Sequence, residues 1–473
     1  MTQPPRRPIP LLGEVQLGER AARALTTELA RHAGPKTALL VAATAQSPVL
    51  AAAVDGLRPG DTLTAVPLAV LRLARLVVAH RTAATRGVAA GGVAWVACAV
   101  LGVQLVPDLP VADRGTATLG LQRTVQMAQD FRDREEFAAQ ASVDRFRDTP
   151  DDQLLTGLRG KNVMFVFVES YGRIAIDDPQ LGPQLAPILS DGNKQLNAAG
   201  FAARSGWLTS PTFGGGSWLA HSTLLSGLWI TNQQRYQSLI KSNRLTLSSA
   251  FRRADWHTAA VMPATNGPWP EGKFYRYDQV YASQDMQYSG PRFTFSSIPD
   301  QYTLGFYQRT QRATPDHAPV MGEIALLSSH GPWVPVPHLV DWNSLGNGKV
   351  FDPMANDGGP ADQVWRDRTR IRNAYITTIR YSVSSIISYL QKYGDDNTVL
   401  VFLGDHQPAA VVSGENGSHD VPITIVAKDR TVLERVSSWG WTDGLEPGPQ
   451  SPVWRMDSFR DRFLTAFGPQ VHG

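Results

Sequence analysis

The sequence predicts an α/β fold in which a mixed, mostly parallel sheet is sandwiched by helices and preceded by one transmembrane helix. Three observations predict it. Beyond residue 161, short apolar runs such as NVMFVFV and NTVLVFLG alternate with helix-favouring segments, the pattern of strands covered on both faces. Residues 87–106 read GVAAGGVAWVACAVLGVQLV, with no charge and one amide, Gln104; that length matches the roughly 20 residues a bilayer core requires. Finally, 473 residues with 42% hydrophobic and 18% charged content suit one large globular domain and a smaller part, and exclude a multi-span carrier.

Residues 1–66 carry a weak α/β cadence. A helix is expected over 17–33, a strand over 37–43, a helix over 48–57, a turn at Arg58-Pro59-Gly60-Asp61 and a strand over 62–66. The Gly-rich loop of a nucleotide-binding fold is absent, because Thr44-Ala45-Gln46-Ser47 follows the first strand. The segment therefore points to no function. Residues 67–86 form a basic flank with Arg72, Arg75, Arg81 and Arg86, whereas Asp108 and Asp113 follow the span. The positive-inside rule places the N-terminus in the cytoplasm and everything after Pro107 outside, as a single-pass protein of the cell membrane. Gly91, Gly92, Ala94, Ala97 and Gly102 would suit packing against another membrane helix. Residues 107–160, polar with scattered Met127, Phe131, Phe137 and Phe146, are expected to be a juxtamembrane helical linker.

Residues 161–473 then form the expected catalytic domain. Strands are expected at NVMFVFV, FAARSGWLT, HTAAVM, PVMGEIALLSS, NTVLVFLG and PITIVAK. Helices are expected near 183–199, from about Trp218, through 361–393 and near 456–467. Net charge is +3, from 45 Lys+Arg against 42 Asp+Glu, and no basic run suggests a nucleic-acid partner. The single cysteine, Cys98, excludes an intrachain disulfide.

In open α/β sheets catalytic groups collect at the carboxyl ends of the strands. Here one strand ends on Glu169, another on Asp405-His406 and a third on Ser328-Ser329-His330. Carboxylates and imidazoles together make a mixed oxygen and nitrogen ligand set that suits Zn²⁺ or Mn²⁺ and less readily Mg²⁺. His419, just before the last strand, is a fourth candidate. A nucleophile would sit where a cation and a helix N-terminus both stabilise negative charge. Ser217 qualifies, since Gly214-Gly215-Gly216 precede it and a helix follows. Capping that helix would explain a serine but not three glycines. Thr212 is the second candidate.

These motifs resemble the alkaline phosphatase–sulfatase superfamily, within it the lipoteichoic-acid synthases and the phosphoglycerol and phosphoethanolamine transferases. Glu169 in NVMFVFVES is similar to their first metal ligand, and Asp405 and His406 in LGDHQP to their paired C-terminal ligands. SWLAHSTLLSG resembles the nucleophile helix of nucleotide pyrophosphatases, which puts Ser217 on the nucleophile and among the metal ligands. His330 in SSHGPW resembles the substrate-side histidine, and His419 in SHDVP the histidine of a late H-x-P element. The resemblance spans about 161–428. It implies an alkaline phosphatase-like fold and a divalent metal, with Trp269 and Arg276, beside Lys273 and Tyr275, as head-group contacts. Two departures stand out. The C/S-x-P-S/A-R stretch of formylglycine sulfatases is missing at Ser217–His221, and serine stands where the envelope transferases usually carry threonine.

The resulting expectation is a membrane-anchored metal-dependent phosphotransferase. It would act through Ser217 on phosphodiesters of membrane lipid or cell-envelope polymer, with its catalytic domain outside the cytoplasm. The alternatives are a plain phosphodiesterase, phosphatase or sulfuric-ester hydrolase, and, from another class, an inactive anchored domain that binds envelope polymer.

Overall fold

The computed structural model describes residues 104–106, 109–110, 132–267, 269–314 and 317–469. The chain divides into two units, Met1–Arg132 and Asp133–Gly473. In the first, β1 (Gln104–Val106) pairs antiparallel with β2 (Leu109–Pro110). The expected elements over 1–66, the basic flank and residues 87–103 of the expected span lie outside the described residues. The last three residues of that span are described and are extended. Their backbone groups pair with β2, which an α-helix over the same residues would forbid. Among the described residues no helix is long and apolar enough to cross a membrane.

The second unit is built on a nine-stranded sheet. Its centre is β3 (Asn162–Val168), hydrogen-bonded in parallel to β7 (Val320–Leu326) on one side and β8 (Thr398–Gly404) on the other. All seven residues of each of these strands are buried, as their continuous apolar runs require. Beyond β7 lie β5 (His257–Met262) and β6 (Gln279–Ala282), again parallel. Beyond β8 lies β9 (Asp420–Ala427), antiparallel to both β8 and β4 (Ala202–Thr209). Two further short strands, β10 (Thr442–Asp443) and β11 (Val453–Arg455), pair along the other edge of β4; like β6, they were not expected from the sequence. The sheet is thus mixed and mostly parallel, with helices on both faces.

Side chains alternate between the faces of a strand, and that alternation sorts the core. Met164, Val166 and Val168 pack with α1 (Gly182–Ala198) and α4 (Arg368–Tyr393), through Leu185, Leu189, Ile376, Ile379 and Val383. Val163, Phe165 and Phe167 face the other way. They pack with Leu224 and Leu225 of α2 (Ser217–Ser226) and with Phe459 and Phe463 of α5 (Ser458–Ala466). The first face also holds α3 (Asp300–Tyr307), through Leu304 and Phe306. The helix expected through 361–393 is broken. A single turn, Ala361–Val364, precedes α4, and Asp367 caps α4 by accepting the Arg370 backbone N–H at 2.8 Å.

Residues 133–160 belong to this unit as well. Residues 133–142 are helical, and Phe137 packs against Leu219, Leu228 and Ile230. Leu154, Leu155 and Leu158 enter the same core as Phe165 and Phe167. Asp144, its side chain fully buried, accepts from both terminal nitrogens of Arg460 at 3.0 and 3.2 Å, and Arg244 lies 3.5 Å away. Burial pushes the Asp144 carboxyl up, but Arg460 and Arg244 more than offset that and hold it below its ordinary value. Breaking one member out of such a buried ion group costs about 3–5 kcal/mol, so this segment is bound to the sheet by charge as well as by packing.

Candidate functional site

β3 and β8 run in parallel and in register, Val168 opposite Gly404, so their next residues emerge side by side at one edge of the sheet. The alternation that sends Phe165 and Phe167 toward α2 sends Glu169 there too. Val401 and Leu403 set the same direction for Asp405. Glu169, Asp405 and His406 are all buried, and each offers a ligand atom within 4.8 Å of the others'. His406 Nε2 lies 3.2 Å from Glu169 Oε1 and 3.6 Å from Asp405 Oδ2.

The backbone holds this cluster stiffly. Asp405 Oδ1 accepts from the Ser170 and His406 N–H groups, both at 2.7 Å. Ser170 takes a left-handed φ of 57° to do so, a strain that is held by the surrounding bonds. Its Oγ donates to Glu169 Oε1 at 2.9 Å, and the Tyr375 hydroxyl donates to its carbonyl. His406 Nδ1 lies 2.8 Å from the Gln407 carbonyl and must carry a proton there, which directs Nε2 at the cluster.

Ser217 completes the group from across the sheet edge. Its Oγ donates to Glu169 Oε2 at 2.8 Å and lies 3.2 Å from His406 Nε2. The sequence suggested that Ser217 would be the cap, with the helix beginning near Trp218. Instead Gly216 is the N-cap and Ser217 the first helical residue, so its hydroxyl is not spent on the helix end. Gly214, Gly215 and Gly216 have φ of 69°, 154° and 84°, backbone that side chains with a Cβ rarely adopt. This loop is tied to the turn after β8, since the Gly214 N–H donates to the Gln407 carbonyl at 3.0 Å. Thr212 is buried in the same loop and bonds Ser210 rather than the carboxylates.

The electrostatics of the metal-free cluster are those of two buried carboxylates sharing one cation. Burial pushes Asp405 up to about 6, and the Glu169 charge adds to the shift. Burial would push His406 down, but the Asp405 and Glu169 carboxylates raise it to about 10. Burial acts on Glu169 as well, yet the His406 charge holds its carboxyl far below the usual range. Two carboxylate oxygens, an imidazole nitrogen and a serine oxygen converge here, and the proton of the imidazolium that balances the carboxylates is one a divalent cation could displace. That donor set fits a borderline metal.

The other expected residues surround this cluster at different distances. His330 follows β7 at the same edge. Its ring stacks on the exposed Phe295 at 4.0 Å. His419 precedes β9, which is antiparallel, so the start of that strand lies beside the end of β4, Asp420 opposite Thr209. His419 therefore reaches the glycine loop, with Nδ1 3.2 Å from the Ser210 carbonyl and its ring 5.3 Å from Phe213. Trp269 is half-buried and layered on Tyr275 at 5.6 Å and Tyr277 at 6.5 Å. Arg276, between those tyrosines, is exposed, as is Lys273. No hydrogen bond or ion pair among the described residues joins the Arg276 side chain to the cluster. Tyr275 instead meets Ser222 of α2, its hydroxyl 2.8 Å from Ser222 Oγ.

Reading strand ends misses residues that lie inside strands or helices. Glu323, in the middle of β7, is bonded by His221 of α2 and by Tyr277. The available signal was a lone carboxylate within the apolar run PVMGEIALLSS.

Residues 161–423, more than half the chain, match the family model described as Sulfatase. Among solved structures the chain is similar to the lipoteichoic acid synthase LtaP from Listeria monocytogenes, at 14% identity and a TM-score of 0.45, over 67% of this chain and 74% of that one. The C-terminal periplasmic domain of EcEptC from Escherichia coli is 12% identical with a TM-score of 0.44, over 65% and 82%. The phosphoglycerol transferase GacH from Streptococcus pyogenes is 12% identical with a TM-score of 0.40, over 70% and 91%. No curated protein matches the sequence significantly.

Proposed function

Because the chain belongs to the sulfatase family, we propose that it is a metal-dependent phosphoric-ester transferase or hydrolase using Ser217 as its nucleophile. The observation that carries this reading is the place of the Ser217 hydroxyl, 2.8 Å from Glu169 and 3.2 Å from His406 at the amino end of α2. A sulfatase cofactor made from cysteine or serine needs a flanking motif that Ser217-Trp218-Leu219-Ala220-His221 lacks. A plain serine alkoxide, by contrast, is a competent nucleophile toward phosphorus.

Glu169, Asp405, His406 and Ser217 would hold the metal, Zn²⁺ or Mn²⁺ by their donor types. When bound, it supplies positive charge that lowers the pKa of the serine hydroxyl and offsets the charge of the phosphoryl oxygens. Ser217 Oγ then attacks phosphorus, the alcohol departs, and the phosphoserine passes its group to water or to an acceptor hydroxyl. The first-turn N–H groups of α2 favour the anionic group. His330 and His419 flank it, and Trp269 and Arg276 are assigned to the head group. In this reading the apolar stretch before β1 anchors the protein, the catalytic region over 161–473 lies in the unit Asp133–Gly473, and the substrate is a phosphodiester of membrane lipid or envelope polymer.

With Mn²⁺ or Zn²⁺, the purified full chain is expected to turn over bis(p-nitrophenyl) phosphate and to leave p-nitrophenyl sulfate intact. Hydrolysis of the sulfate alone would reverse the assignment. For the anchor, protease added to intact cells should remove the C-terminal unit. Protection of that unit until the cells are lysed would refute the outward orientation.

A further inference from the structure

Glu323 is 1% exposed and sits mid-strand in β7, opposite Phe165 on one side and Ala260 on the other. Burying a carboxylate there is unfavourable unless it is paired and hydrogen-bonded, and an apolar residue would fill the position without that cost. Its two oxygens are both used. Oε1 lies 2.9 Å from Nδ1 of His221, and Oε2 accepts from the Tyr277 hydroxyl. His221 stands four residues after Ser217 on α2, one turn along the same helix face. Its ring lies flat on Phe167, with centroids 3.7 Å apart and planes 15° from parallel. The imidazole is therefore held by a carboxylate at its edge and by an aromatic ring beneath.

Buried polar atoms are satisfied by protein or by ordered water. In His221 only Nδ1 is engaged by protein. Nε2 has no partner among the described residues, and the side chain keeps 13% of its exposure. The site around it is the one already described. Phe167, beneath the ring, is two residues before Glu169 on the same face of β3. On the other side, Tyr277 stacks with Tyr275 at 6.0 Å and lies 6.5 Å from Trp269, so the same set reaches the segment assigned to the head group.

We propose that His221 is a further catalytic residue of this site, contacting the alcohol oxygen of the substrate ester through Nε2, with Glu323 and Tyr277 as its positioning residues. The proposal rests on reading the site as an ester-transfer centre. Ser217 enters as the alkoxide, its proton having gone to bulk water. As the bond from Ser217 Oγ to phosphorus forms, the bond from phosphorus to the alcohol oxygen breaks. The departing oxygen takes the proton from Nε2. In the second half, an incoming water or hydroxyl gives its proton to Nε2 as its oxygen bonds phosphorus, and Ser217 Oγ leaves. Glu323, bonded to Nδ1, keeps the ring oriented with Nε2 free through both halves.

The test compares two diesters on the metal-loaded full chain. In bis(p-nitrophenyl) phosphate the nitrophenolate departs without a proton, whereas in bis(2-hydroxyethyl) phosphate the alkoxide requires one. His221→Gln is expected to lower turnover of the alkyl diester by about 10²–10⁴-fold and that of the aryl diester by less than about 10-fold. Bound metal and melting temperature should match the parent. Tyr277→Phe should give a smaller split of the same sense. Equal losses on both diesters, or none, would overturn the proposal. If His221→Gln does not fold or loses metal, Tyr277→Phe and Glu323→Gln carry the comparison, and absence of any split in both overturns it. A parent protein inactive on both diesters would instead sink the ester-transfer reading beneath it.

Discussion

Ser217→Ala is expected to lower phosphodiester turnover by about 10⁴-fold or more while leaving the fold nearly unchanged. The two halves of that expectation have separate causes. A capping serine, once removed, costs about 1 kcal/mol of stability. Ser217 caps nothing, because Gly216 occupies the N-cap and no side-chain cap bond is made there. Loss of its hydroxyl leaves Glu169 and His406 still paired at 3.2 Å, so no buried charge is stranded. The chemistry, in contrast, loses the atom that would bond phosphorus. Mass spectrometry of the parent protein quenched during turnover should find a phosphoryl adduct on the peptide containing Ser217, and none on the variant. Undiminished turnover by Ser217→Ala, with the adduct on Thr212, would move the nucleophile to that residue.

Stripping the metal should abolish activity, and Zn²⁺ or Mn²⁺ should restore it and raise the melting temperature. At a concentration of metal 100 times its Kd, the gain is about 2.7 kcal/mol. Asp405→Asn separates this effect from simple loss of structure. In the metal-free protein burial and the Glu169 charge push Asp405 up to about 6, above its unfolded value of 3.8. A carboxyl raised in the folded state stabilises below the unfolded value, and that contribution is lost as pH rises through about 6. At pH 7.5 the metal-free parent therefore bears the cost of an ionised buried Asp405.

In Asp405→Asn the amide oxygen would accept the same Ser170 and His406 N–H bonds without the charge. The metal-free variant should thus be more stable than the metal-free parent at pH 7.5, by about 1–3 kcal/mol, with the gap closing toward pH 4. Added metal should no longer raise its melting temperature, and its turnover should stay at background. A metal-free variant less stable than the parent at pH 7.5, or one still stabilised by metal to the same degree, would contradict this account of the cluster. Metal binding must also expel the proton on His406, whose value is raised to about 10. Apparent metal affinity is accordingly expected to fall as the solution is acidified.

Much of the sheet was legible because burial on both faces leaves a mark in the local sequence. NVMFVFV, GEIAL and TVLVFLG are dominated by apolar residues because helices cover both sides. Glu169 and Asp405 were legible for the same reason, as charges that end such runs. The three glycines marked the loop before Ser217 as more than a helix cap, and each of them has a positive φ. Less was legible where no local rule applies. Residues 361–393 read as one helix, yet the chain breaks before Asp367 because a cap bond there competes with continuing the helix. The strands β6, β10 and β11 are too short to show a period. Glu323 was hidden because a strand interior was read as core.

What the sequence by itself determined is the kind of groups at the sheet edge: two carboxylates, imidazoles and a glycine-led serine, each placed by a one-dimensional signal of burial or backbone conformation. Only the tertiary structure decided which of them meet. The parallel register of β3 with β8 brings Glu169 and Asp405 side by side, and side-chain alternation aims both toward α2. The antiparallel direction of β9 carries His419 to the glycine loop from the opposite end of a strand. The packing of α2 over β7 turns His221 and Glu323, 102 residues apart, into a bonded pair. Strand direction, register and helix rotation are properties of the assembled sheet, and no local stretch of sequence contains them.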